Sequence, residues 1–222
     1  MTRTELDPAT NSDGTLALLW HHLHLGERLY LFAWVRLLVL VAIVAGSLFA
    51  TYVVGVRGLD ILQLCGCAAF LGLYDVAVFW LLRGRRRPEQ AAQCYRLLES
   101  ISHATITLDF LVLTYLIRLV GGAESPFKAF YLLHVILAAA LLARRAAYAH
   151  AAFGYLLLAG LVVGEWLGWW EQHRPVGAVP YAASQPLDGR YALTVLTVYA
   201  LLMALAVVLM TGIAEALREG ER

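Results

Sequence analysis

Six long apolar windows constrain this chain more than any other feature. They run from Tyr30 to Val54, Leu59 to Leu82, Leu97 to Leu119, Phe127 to Ala143, Ala146 to Trp170 and Tyr191 to Thr211. At roughly 1.5 Å of rise per residue, windows of this length reach across a hydrocarbon layer of about 30 Å, the fourth being the shortest. A mean hydropathy of +0.69 with only 15% charged residues excludes an ordinary soluble domain of this size. The expected fold class is therefore an all-α membrane protein, a bundle of six transmembrane helices with both termini on the inner side.

The orientation comes from the distribution of Lys and Arg, not from the net charge of +1. With both ends inside, the inner side carries Arg3, Arg28, Arg83, Arg85, Arg86, Arg87, Arg96, Arg144, Arg145, Arg218 and Arg222. The outer side carries Arg57, Arg118, Lys128, Arg174 and Arg190, and Arg36 lies within the first span. The polybasic RGRRRP loop thus reads as a topology determinant, and no nucleic-acid partner is expected. Residues 1–28 form a polar tail followed by a stretch that reads as an interfacial helix. Residues 29–214 make the membrane domain, and 215–222 an exit helix or linker. No cleavable signal peptide is expected, since the chain opens with MTRTELDPATNSDG. Cys65, Cys67 and Cys94 read as small apolar residues, and no metal set is expected from them or from His21 and His24.

Ionisable groups at membrane depth are costly and need partners. Counting along each helix puts Arg36 and Asp75 both about 10 Å in from the inner edge, a natural ion pair. His103 lies at a similar level, with His134 and His150 not far off. Asp109 falls near mid-membrane and must face the bundle interior. Two readings stay open: a structural polar layer that pins helix packing, or a proton-sensitive or ligand-responsive cluster. A haem held between His134 and His150 is a third. Arg118 is placed to meet Glu165 or Glu124. Trp166, Trp169, Trp170 and Tyr181 mark the outer interface.

Between the third and fourth spans stands Gly121-Gly122-Ala123-Glu124-Ser125-Pro126-Phe127. The two glycines permit positive φ and end the third helix, and Pro126 suits the first turn of the next. Ser125 is the natural N-cap, its hydroxyl accepting from a backbone N–H. An open helix N-terminus here would favour an anionic or carbonyl oxygen.

The stretch LDFLVLTYLIRLVGGAESPFKAFYLLHVILAAALL resembles the third and fourth spans of the six-span sensor regions of RegB-type and PilS-type histidine kinases. Gly121, Gly122, Ser125, Pro126 and Phe127 match the family's outer turn, and Asp109 occupies the matching place upstream. The resemblance extends in general plan from about Leu29 to Thr211. It implies a sensory input module of the two-component type, in the inner membrane of a bacterium, acting as a homodimer with a cytoplasmic kinase or response partner. In the RegB-type branch the turn is associated with quinone, which makes Gly121, Gly122, Glu124, Ser125, Pro126 and Phe127 the candidate quinone-binding residues. Arg36, Asp75, His103, Asp109 and His134 are then the candidate intramembrane signalling residues. No phosphoacceptor histidine box or glycine-rich nucleotide motif follows Thr211, so no catalytic residues and no enzyme activity are expected of this chain itself. Two other classes compete: a haem- or quinone-bearing electron-transfer subunit, and a structural or assembly subunit of a membrane complex.

Overall fold

The computed structural model describes residues 34, 36–39, 41–83, 91–170 and 187–220. The amino-terminal tail with its expected interfacial helix, most of the RGRRRP loop and most of the long connection expected on the outer side lie outside the described residues. Within them the chain is helical throughout apart from short connections. The helices are α1 (Arg36–Val54), α2 (Ile61–Arg83), α3 (Ala91–Leu119), α4 (Phe130–Leu141), α5 (Arg144–Trp166) and α6 (Gly189–Gly220). Five of them are long and apolar enough to cross a membrane. The exception is α4, which has 12 residues and is led in by a single 3-10 turn, Pro126–Ala129.

Local chemistry explains several helix ends. Asp60 caps α2: its carboxylate accepts the Gln63 N–H at 3.1 Å while the Gln63 side-chain amide donates back to it at 2.6 Å. The first of these bonds satisfies a backbone donor that the first helical turn leaves without a partner. At the other side Leu142 and Ala143 are extended, and the chain reverses there directly into α5. Several threonine hydroxyls along the spans are satisfied within their own helices. Thr107, Thr114, Thr194, Thr197 and Thr211 donate to the carbonyl four residues earlier. That bond hides an otherwise unpaired hydroxyl from hydrocarbon.

The helices α3 to α6 pack around one core, whereas α2 is laid against α3. In α1 no residue of the apolar window is buried, against 44% in α3, so α1 lies at the periphery. Phe110 on α3 is the hub of the core. Its fully buried ring stacks on Tyr131 of α4 at 5.9 Å and meets Phe153 of α5 edge-on at 6.3 Å. The Tyr131 hydroxyl is shared with Thr114 at 2.6 Å. Small residues make this approach possible: Ala147, Ala151 and Gly154 form the face that α5 turns inward. A Cβ on Gly154 would lie 2.5 Å from the Phe110 ring.

The same contacts give the sidedness of the bundle. The connection after α3, the end of α5 and the start of α6 lie together at one face, through Ala123, Glu165 and Tyr191. Arg144 at the start of α5 and Glu215 near the end of α6 pair at 3.3 Å at the opposite face. This exposed pair is worth little energetically, but it fixes α5 and α6 as antiparallel neighbours.

Replacing Gly154 by Leu is expected to lower stability by about 2 kcal/mol through overpacking against Phe110. Gly160→Leu faces open space and should stay within about 0.5 kcal/mol of the parent. Denaturant unfolding in mixed micelles measures both, and equal effects would remove Phe110 from its central place.

Candidate functional site

Two polar centres are built into this apolar framework. The first joins three helices at membrane depth. The Arg36 guanidinium of α1 donates to Asp75 of α2 and to Asp109 of α3, and the Tyr74 hydroxyl donates to Asp109 as well. Arg36 also lies against the Tyr74 ring, 5.2 Å from its centroid. The pairing of Arg36 with Asp75 follows the depth count along the sequence. Asp109 faces the interior as expected, only 5% exposed, but it shares Arg36 with Asp75 instead of forming a separate layer.

One guanidinium thus serves two carboxylates, and its forked donors are suited to that role. Among the described residues this is the charged tie between α1 and the rest. A signal was present in the sequence: Ser102, Thr105 and Asp109 recur at helical spacing along α3, and all three are buried.

The histidines separate into two places. His103 and His150 meet edge to face across α3 and α5, ring centroids 5.2 Å apart. His134 bonds the Phe130 carbonyl of its own helix at 2.8 Å through Nδ1, and its ring lies 5.5 Å from that of Phe110. The ring that meets His150 is therefore that of His103, and the histidine pair brought together differs from the His134–His150 pair of the haem reading.

The second centre is the turn after α3. Gly121 and Gly122 have φ of 112° and 58°, the left-handed region for which glycine was expected. A Cβ on Gly122 would also overlap the Glu165 carboxylate, so glycine is required there twice. The Ser125 hydroxyl accepts from the Phe127 N–H at 3.3 Å, as a cap of the 3-10 turn that precedes α4.

The turn ahead of the Ser125 cap is closed by groups from other helices. Glu165, 6% exposed at the end of α5, accepts the Ala123 N–H at 2.8 Å. Lys128 is buried and donates to the Ala123 carbonyl, with the Tyr191 hydroxyl of α6 at 3.2 Å from both groups. The Lys128 ammonium further lies 5.5 Å and 6.0 Å from the ring centroids of Tyr191 and Tyr199. Sequence reasoning counted Lys128 only as an outer charge and missed this role. A lone Lys one turn into an apolar segment, with Tyr191 and Tyr199 on one face of α6, was the available signal. Arg118 rests over the Trp170 ring at 5.6 Å.

The fit of a quinone to this turn divides by residue. Gly121, Gly122 and Ser125 are buried, and the N–H groups of Ala123, Glu124, Ser125, Phe127 and Lys128 are engaged within the chain. Donors for quinone carbonyls are therefore not supplied by those groups. What the turn presents outward is Pro126 and Phe127, the Phe127 ring being 43% exposed and stacked on Phe130 at 5.9 Å. That surface suits an apolar ring or chain.

Removing Arg36 leaves two carboxylates facing each other in hydrocarbon. Arg36→Gln is expected to cost about 2–4 kcal/mol, and Asp75→Asn clearly less because the Arg36–Asp109 pair survives. Unfolding midpoints of the two variants in the same micelles check this order, which the reverse ranking would refute. Neither protein-family models, nor curated proteins, nor solved structures gave a match to this chain, so its function is argued from the geometry above.

Proposed function

We propose that this chain is a membrane-embedded sensory input module of the two-component histidine-kinase type. In this reading it crosses a bacterial inner membrane six times with both ends inside. A lipophilic or redox signal acts at the outer face, and α6 carries the response to a cytoplasmic output. The observation that carries the proposal is the wiring of the outer turn. A single short segment holds the end of α5 through Glu165 and the start of α6 through Lys128 and Tyr191. The exposed Phe127 ring lies one residue from Lys128.

A lipophile that displaces Phe127 from Phe130 strains the Ser125–Phe127 cap, and Lys128 follows because it belongs to the same 3-10 turn. Its contacts with Tyr191 and Tyr199 bear on the first three turns of α6, a single helix of 32 residues running to Gly220. The mechanism needs two packings of α6 with different affinity for the lipophile. Quinone enters as the signal that the family resemblance implies, with Phe127 as its stacking surface. The Arg36 centre is then the fixed frame against which α4 to α6 shift. Homodimer formation and a cytoplasmic kinase partner belong to the same reading.

The test is a chimaera in which α6 continues in helical register into a cytoplasmic histidine-kinase catalytic region. Autophosphorylation is measured in vesicles whose quinone pool is oxidised or reduced. The parent chimaera should respond, Phe127→Ala should reduce the response by roughly tenfold, and Lys128→Met should abolish it while leaving basal activity. Output that ignores both the pool and these substitutions in a folded chimaera would refute the sensory reading.

A further inference from the structure

The Arg36 centre is not balanced in charge. Its guanidinium donates to Asp75 and to Asp109, so one positive charge faces two carboxylates and one negative charge is left over. The three helices that carry these groups are among those long and apolar enough to cross a membrane. All three side chains are largely withdrawn from the surface, with exposures of 20% for Arg36, 14% for Asp75 and 5% for Asp109. A surplus charge in such surroundings is costly, and two carboxylates at one site resist ionising together.

The oxygens show where the compensation goes. Of the four carboxylate oxygens, three already accept: Asp75 Oδ1 and Asp109 Oδ2 from Arg36, and Asp109 Oδ1 from the Tyr74 hydroxyl. The fourth, Asp75 Oδ2, is buried and has no hydrogen-bond partner. Leaving it as the bare oxygen of an ionised group is the costliest arrangement for that position. A proton on Oδ2 keeps Oδ1 as the acceptor for Arg36 and removes the surplus charge. A metal cation suits the place less, because it asks for several oxygens at once. Among the described residues no group of three or more His, Cys, Asp or Glu is arranged to hold one.

The other titratable neighbours are Tyr74, which donates to Asp109, and His134 of α4, within electrostatic reach of Asp109 and Arg36. His134 commits its Nδ1 to the Phe130 carbonyl and rests against the Phe110 ring, so that nitrogen serves its own helix and neither carboxylate. We infer that the Arg36 centre is a binding site for one proton, held on Asp75 Oδ2. There α1, α2 and α3 meet as a neutral assembly of one guanidinium, one carboxylate and one carboxylic acid. Stripping the proton at high pH leaves two carboxylates repelling each other across a single guanidinium, so the junction of the three helices answers to pH. The assignment stands apart from the sensory reading, because it needs neither a ligand at the turn nor coupling to α6.

The experiment is infrared spectroscopy of the full chain in nanodiscs at neutral pH, reading the C=O stretch that a carboxylic acid shows and a carboxylate lacks. The difference between the parent and Asp75→Asn should contain one such band, and raising the pH should remove it from the parent in a single step. Asp75→Glu should displace the band, whereas Asp109→Glu should leave its position unchanged. Asp109→Asn should abolish it, since Arg36 and Asp75 alone are balanced and Asp75 then ionises. His134→Gln should keep it at parental intensity.

An acid band that survives Asp75→Asn, as one from the buried Glu165 would, overturns the inference. So does a band displaced by Asp109→Glu and not by Asp75→Glu, or one that persists in Asp109→Asn. A folded parent without any acid band refutes it as well. Carboxylate bands that then move when sodium replaces choline in the buffer would identify a bound cation, and an acid band appearing only in His134→Gln would put the proton on His134. A chimaera that ignores the quinone pool while the Asp75 band is present would count against the sensory reading alone.

Discussion

In hydrocarbon an unsatisfied polar group costs several kcal/mol, and both polar centres of this molecule follow from that constraint. Arg36 is tolerable at membrane depth because Asp75 and Asp109 take its two sides and Tyr74 completes the coordination of Asp109. The same requirement makes the group a fastener. α1 buries no residue of its apolar window, so the Arg36 contacts set its position against α2 and α3. A core of Phe110, Tyr131 and small α5 residues could hold α3 to α6 without these charges, but α1 has no comparable packing.

The turn after α3 obeys the rule in a different way. A tight reversal after a helix exposes backbone donors and acceptors, and in this one Ala123 and Ser125 are buried. Glu165 takes the Ala123 N–H, while Lys128 and Tyr191 take the Ala123 carbonyl. Satisfying the backbone N–H and carbonyl of one residue thereby ties four segments together: the end of α3, the lead into α4, the end of α5 and the start of α6. A turn closed in this way presents Pro126 and Phe127 to the outside, so a lipophile would act on it by contact with those rings and not by entering it.

Much of this was legible in the sequence. The five helices long enough to span follow from hydropathy alone, while the fourth window falls short, and counting rise per residue placed Arg36 and Asp75 together. The glycines and Ser125 of the turn announced their conformations through φ and capping chemistry. What could not be read was rotation about each helix axis. α2 and α4 are apolar nearly all round, so no stripe shows which face meets a neighbour. For that reason the sharing of Arg36 by Asp109, the His103–His150 contact and the reach of Glu165 across to Ala123 emerged only in three dimensions. On α3 the Ser102, Thr105 and Asp109 stripe does mark the buried face, of which the sequence reading anticipated only the inward direction of Asp109.

The central claim is that the turn is held from outside itself by Glu165. Site-resolved amide hydrogen exchange in nanodiscs, comparing the parent with Glu165→Ala, tests it most directly. The account predicts that exchange at Ala123 accelerates by roughly tenfold or more, the loss of a charge-assisted hydrogen bond, while amides of Val135 to Ala139 in α4 keep their protection. Unchanged exchange at Ala123 would contradict it and leave the turn as a self-contained connection between two helices.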